Sequence, residues 1–256
     1  MNALSGPADP PLETWPDALE AALGECTLLR AVRVVRQTAS TQDAASGLPA
    51  GTAVVAWQQT AGRGRLGSAW ADTGHAGLAV TAVIPRAQPE HLATASAVAA
   101  AAAVAACGGA AADVRIKWPN DLVLHARKLA GILVEQRGQV ALVGVGINVH
   151  QQGFEPPLHA RATSLRMAGV TANRLDLACR LLQRLDHWLR QPPGDVAAAY
   201  RARDCMAGQV ATFETPHGQV TGAVIAVDPT RGLTLETPSG THFLPAATTR
   251  VVPPAL

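Results

Sequence analysis

Lysine is nearly missing from this chain. Among 256 residues it occurs only twice, as Lys117 and Lys128, and the remaining Lys/Arg positions are all arginine. A composition shifted so far toward Arg keeps Lys where a compact ammonium on a flexible stem is needed and a planar fork does not fit. Both survivors fall in one short stretch that opens Lys117-Trp-Pro-Asn-Asp121 and closes at Lys128. Either that stretch is a site that needs point charges or the two fell together by chance. A strong charge of either sign is also missing. The net charge is +2 and the arginines form no basic stripe, which argues against a nucleic-acid partner. Cys26, Cys107, Cys179 and Cys205 show no CxxC spacing and no paired histidine. They read as reduced thiols of a cytosolic protein, not as a zinc site or a disulfide framework.

Targeting and membrane signals are absent as well. The acidic, Pro-rich N-terminus has no basic n-region, so it is not a secretory leader. The most apolar stretch, 94–106, is too short and too Ala-rich to span a bilayer and predicts a buried helix. No Ser/His/Asp set, HExxH or EF-hand pattern stands out, and His75, His91, His125, His150 and His159 are scattered. What is present is an ordinary globular composition, 48% apolar and 16% charged.

Helical spacing of Leu12, Trp15, Leu19 and Leu23 predicts a short helix over 12–23. Strands are expected at 33–36, 53–58, 77–84, 114–118, 128–136 and 139–149, and helices at 90–107, 175–189 and 195–206. After Gly208 the pattern changes to short strands at 210–214, 220–227, 233–236 and 241–244, separated by Pro/Gly turns. That regular spacing predicts a small β-barrel. The expected division is an N-terminal extension over 1–30, a larger domain over 31–206 and the small barrel over 207–256.

Three stretches carry polar chemistry. Gly62-Arg63-Gly64-Arg65-Leu66-Gly67 follows a strand. Its glycines allow a tight turn with N–H groups facing inward, and its arginines add charge, which together make an anion cradle or simply a solvated turn. Trp70, just beyond, is placed either to cover a flat ring or to fill the core. Lys117-Trp-Pro-Asn-Asp121 sets a cation, an amide and a carboxylate on one turn. Asp121 is an oxygen ligand for Mg²⁺ there, or Asn120 and Asp121 cap an Asx-type turn. Gly144-Val-Gly-Ile-Asn148 ends a strand with small residues that permit close approach of a ligand, or simply close a tight strand end.

In this order the motifs resemble the biotin–protein ligases. The resemblance is carried by Ser40-Thr-Gln42, Gln59 to Gly67 with Trp70, Lys117 to Leu122, Lys128-Leu-Ala-Gly-Ile-Leu-Val-Glu135 and Gly144 to Asn148. It implies an α+β fold: a class II synthetase-like catalytic domain with a mixed sheet, followed by a small SH3-like β-barrel. It implies an ATP-dependent biotin–[acetyl-CoA-carboxylase] ligase that uses Mg²⁺, forms biotinyl-5′-AMP and passes biotin to a lysine of a biotin carboxyl carrier protein. By this resemblance Ser40, Thr41, Gln42, Gln59, Arg63, Gly64, Arg65, Lys128 and Gly131 would contact biotin. Arg65, Trp70, Asn120 and Asn148 would face ATP, Asp121 would face the metal, and Arg63 and Lys128 would be catalytic. Gln42 stands where relatives have Asn. The resemblance is to the ligase-only class, because the 39 residues before Ser40 lack a recognition-helix pattern. No nucleic acid, no membrane and a cytoplasmic setting follow, and a homodimer is left open. The alternatives are a lipoate–protein ligase, whose catalytic domain is related, and a biotin-sensing binding protein.

Overall fold

A computed structural model describes residues 9–70 and 75–252, apart from the side chain of Leu66. In chain order the elements are α1 (Trp15–Ala22), β1 (Ala31–Thr38), α2 (Thr41–Ala45), β2 (Thr52–Gln59), β3 (Gly62–Arg63), β4 (Ala69–Trp70), β5 (Gly77–Pro85), α3 (Pro89–Ala105), β6 (Arg115–Lys117), β7 (Asp121–Leu124), β8 (Arg127–Arg137), β9 (Val140–Asn148), α4 (Arg174–Trp188), α5 (Pro193–Arg201), β10 (Val210–Thr215), β11 (Gly218–Asp228), β12 (Gly232–Thr237), β13 (Gly240–Pro245) and β14 (Arg250–Val251).

The main sheet has seven strands in the order β1-β2-β5-β9-β8-β7-β6. It is mixed: β1 runs parallel to β2, and the other neighbours are antiparallel. Strand side chains alternate between faces, so each strand sends one set to each side. One set, including Val80, Ala82, Val143, Val145 and Ile132, packs under α1, α3 and α4 in a single apolar core. The other set includes Ala79, Thr81, Gly131, Leu133, Gly144 and Gly146 and faces α2. Helix α3 is buried nearly all round; its run of alanines lets it lie close between the sheet and α4. Among the described residues no helix is long and apolar enough to cross a membrane.

The second sheet has five antiparallel strands in the order β13-β12-β11-β10-β14. The spacing predicts a barrel here; the structure shows the antiparallel sheet. It packs on the main body through Phe213, whose ring meets Trp118 edge-on at 6.4 Å. Phe213, Val224, Leu233 and Leu235 join the main core.

Several elements differ from expectation, β3 and β4 among them, which pair as a hairpin where a glycine/arginine turn was expected. β7 was not expected. It turns into β8 through His125 and Ala126, both at positive φ (50° and 60°). Two such residues are what a tight hairpin turn demands, and no Asn-Gly marks it. Helix α5 stops at Arg201, short of the expected 206, because the following backbone pairs instead with Ile116: Ile116 N donates to Arg203 O at 2.8 Å and Cys205 N to Ile116 O at 3.1 Å. β14 was also unforeseen. Of the expected N-terminal extension, residues 1–8 lie outside the described residues, and 253–256 of the expected barrel do too.

Candidate active site

A cavity of about 570 Å³ opens on the α2 face of the main sheet. Two glycines form part of its floor. Gly131 of β8 and Gly146 of β9 are paired across the ladder. A Cβ on Gly146 would stand 2.8 Å from the Trp70 ring, and one on Gly131 would stand 3.1 Å from it. The indole therefore lies directly on the strands, and only glycine leaves it room. A Cβ on Gly144 would come within 2.6 Å of Gln42 Nε2.

One end of the cavity is neutral and polar. Ser40 caps α2, its Oγ accepting from Gln42 N at 3.3 Å. Thr41 donates from N (2.8 Å) and Oγ1 (3.2 Å) to Gln59 Oε1, and Thr81 Oγ1 donates to Thr41 Oγ1 at 2.8 Å. This chain of bonds fixes Gln59 with its carbonyl engaged. Gln42 Nε2 donates to Leu133 O at 3.2 Å, while its Oε1 is buried without a partner among the described residues.

The other end is charged. Lys128 Nζ lies 2.7 Å from Asp121 Oδ1 and 5.7 Å from the centroid of Trp70. Segment 161–163 pins its backbone: Lys128 N donates to Arg161 O at 2.7 Å and Thr163 N to Lys128 O at 2.9 Å. Burial pushes the Lys117 ammonium below its usual pKa, against the attraction of Asp121, and neighbouring Lys128 adds to the drop. Asn120 is clamped to β8, its side-chain Nδ2 donating to Ile132 O at 2.5 Å and its backbone carbonyl accepting from Ile132 N at 3.0 Å. Arg65 reaches across to the second sheet, where it donates to Ala246 O at 2.7 Å; burial lowers its pKa.

Ser40, Thr41, Gln42, Gln59, Arg63, Gly64, Arg65, Trp70, Asn120, Asp121, Lys128 and Gly131 all line this cavity. Two expectations need qualification. Asn148 does not line it. It is buried, donates to Thr163 O at 3.0 Å and accepts from Gln151 Nε2 at 3.2 Å. Both polar ends of its amide are thus spent on holding the loop after β9. Arg63 lines the cavity, but its guanidinium grips Asp43 through two 2.8 Å bonds, and its Nε lies 3.6 Å from Glu135. Sequence reasoning missed Thr249 and Arg250, which bring the C-terminal segment to the cavity wall, and Arg161 at its edge. No local motif marks any of them; the second sheet brings Thr249 and Arg250 there, and the pairing of segment 161–163 with Lys128 brings Arg161.

Among the described residues no cluster of three or more His, Cys, Asp or Glu could cage a metal. Asp121 stands as a single cavity carboxylate beside Lys128. That fits Mg²⁺, which is commonly bound by one or two carboxylates together with substrate phosphates.

Residues 30–152 match the biotin/lipoate A/B protein ligase family. The chain is 37% identical, over 207 residues, to the biotin–[acetyl-CoA-carboxylase] ligase of Mycobacterium tuberculosis, covering 74% of this chain and 77% of that protein. The chain belongs to the biotin/lipoate A/B protein ligase family. A second member of the ligase family, the biotin–[acetyl-CoA-carboxylase] ligase of Paracoccus denitrificans, is 31% identical over 79% of this chain and 91% of its own length. The fold matches that of a biotin protein ligase from Aquifex aeolicus solved in complex with biotin and ATP. The TM-score is 0.75 at 22% identity, over 88% of this chain and 99% of that one.

Proposed function

We propose that this chain is a biotin–[acetyl-CoA-carboxylase] ligase. In the proposed first step the biotin carboxylate attacks the α-phosphorus of ATP, giving biotinyl-5′-AMP and pyrophosphate. In the second, the ε-amine of a carrier-protein lysine attacks the mixed anhydride and releases AMP. The observation that carries the reading is a cavity with two chemically different ends, joined across the Gly131–Gly146 pair on which the Trp70 ring lies. The hydrogen-bonded Ser40–Thr41–Gln59 end suits the neutral cyclic urea of biotin, and Gln42 adjoins it. The Lys128–Asp121–Lys117 end suits a carboxylate meeting a phosphate.

Lys128 places its ammonium at the reacting carboxylate and α-phosphate, where negative charge builds. Lys117 and Arg65 add positive charge around the phosphates. Asp121 would hold Mg²⁺, which would supply charge neutralisation at the phosphates. Asn120 lines the nucleotide end. Trp70 lies between the two ends, where its ring would pack against the adenine. The β3–β4 loop keeps water from the anhydride; Arg63 and Gly64 belong to that loop, and Gly131 leaves room beneath it. No protein nucleophile is needed. The four free cysteines are consistent with work in the reducing cytosol.

The test is pyrophosphate–ATP exchange with Mg²⁺. Biotin should drive it, and lipoate and octanoate should not. Exchange with lipoate but not biotin would make the chain a lipoate–protein ligase.

The floor supplies a sharper check. In Gly146→Ala the new methyl would meet the indole at 2.8 Å, so Trp70 must lift from the sheet. We expect KM for ATP to rise about tenfold, the cost of roughly 1.4 kcal/mol of misplacement, with the thermal midpoint little changed. In a Trp70→Ala background the same methyl should have a much smaller effect. An unchanged KM in Gly146→Ala would mean that the indole need not lie on the glycines.

A further inference from the structure

We infer that Asp43 is a positioning residue for the loop that covers the cavity, holding Arg63 across the gap between the Ser40–Gln42 turn and the β3–β4 hairpin. This rests on the ligase reading above. Asp43 follows directly on the turn that forms the neutral end of the site. Its two carboxylate oxygens each take one bond from the Arg63 fork, at 2.8 Å. That parallel, charge-assisted arrangement is the strong form of an Arg–carboxylate contact. Both partners show its effect: the Arg63 bond holds the Asp43 carboxyl below its usual range, and Asp43 in turn raises the Arg63 guanidinium. Glu135 of β8 lies 3.6 Å from Arg63 Nε on the third side, so the guanidinium is bracketed by carboxylates.

What Arg63 pulls on is the covering hairpin. β3 pairs with β4, Gly62 opposite Trp70 and Arg63 opposite Ala69. Anchoring Arg63 to Asp43 therefore fixes the strand beside Trp70 and, through it, the seat of the indole on Gly131 and Gly146. The pair ties the urea end of the cavity to its lid from within the protein. With its charge balanced by two carboxylates, Arg63 serves as a strap and leaves phosphate stabilisation to Lys128, Lys117 and Arg65. The pair is partly exposed, 37% at Arg63 and 53% at Asp43, which keeps its expected effect modest.

The test is steady-state and single-turnover kinetics of Asp43→Asn, Arg63→Ala and the double variant, using biotin, Mg·ATP and a purified biotin carboxyl carrier domain. Asp43→Asn should raise KM for biotin about fivefold and speed the loss of preformed biotinyl-AMP by a similar factor. Its kcat should stay within about twofold and its thermal midpoint should not move. The double variant should be no worse than Arg63→Ala, because the strap is already cut. Kinetics like those of the wild type, additive losses in the double variant, or a fall in kcat together with the thermal midpoint would each overturn the inference. Absence of biotin-dependent exchange in the wild-type protein would instead sink the ligase reading on which it stands.

Discussion

Lys128→Arg should lose biotinyl-AMP formation by between about 10- and 100-fold while the protein stays folded. The range follows from a charge-assisted hydrogen bond worth roughly 1.5–3 kcal/mol, at about 1.4 kcal/mol per decade of rate. The Lys128 backbone is pinned on both sides by Arg161 and Thr163, so the mutant backbone cannot shift to make room. The ammonium sits between Asp121 at 2.7 Å and the Trp70 ring at 5.7 Å. A guanidinium is wider and longer, and must either push the indole from its glycine seat or carry its charge past the reacting carboxylate. The loss belongs to the first half-reaction; transfer from preformed biotinyl-AMP should suffer less, because the carboxylate is by then part of the anhydride. Single-turnover adenylation together with the thermal midpoint decides the matter. Adenylation within twofold of wild type would remove Lys128 from the chemistry.

The largest effect on stability is expected at Arg174, far from any sequence motif. Its side chain is 1% exposed and bonds Asp9 through Nε, with Nη1 donating to Trp57 O at 3.0 Å and to Gly77 O at 3.2 Å. The guanidinium carbon lies 4.2 Å from the centroid of the Trp57 ring. Arg174→Met keeps the bulk but strands two carbonyls and the Asp9 carboxylate. Breaking such a buried pair costs about 3–5 kcal/mol, a fall in the thermal midpoint of roughly 6–20 °C for a chain of this size. Asp9→Asn in the same background should recover part of the loss, because the carboxylate is no longer left unpaired. Burial alone would raise the Asp9 pKa, but His150 and Arg174 outweigh it and hold the carboxyl below its usual value of 3.8. Its contribution is therefore full above about pH 4 and fades as pH falls through the lower folded value. A midpoint change under 2 °C in Arg174→Met would show that the tether carries little.

Much of the fold could be read from periodicity, and the reasons are local. Leu175, Leu177, Leu181, Leu182 and Leu185 repeat at helical spacing and form the buried face of α4. β5, β8 and β9 are apolar runs closed by Pro85, Gly138 and the loop after Asn148. The same logic failed where tertiary pairing overrode local preference. Residues 202–206 carry no helix breaker, yet Ile116 takes their backbone out of α5. The cavity-lining residues were legible in the sequence where they stand in motifs, as Arg63, Gly64, Lys117, Lys128 and Gly131 do. The partners were not. Asp43 and Glu135 meet Arg63 only once α2, β3 and β8 are in register, and Asn148, at the end of β9, bonds the following loop through Thr163 and Gln151.

The cavity wall runs from Ser40 near one end of the chain to Val251 near the other. Its definition therefore waits on the most distant contacts the chain makes, such as Arg65 with Ala246, and these are the slowest to form. During synthesis the main sheet can be complete while the last wall is still missing. A nascent chain at that stage has the motif residues and the main-sheet core, but lacks the wall that Thr249, Arg250 and Val251 supply to the cavity. Under the proposed ligase chemistry, the part of the site that closes around the intermediate is thus the last part of the chain to be made.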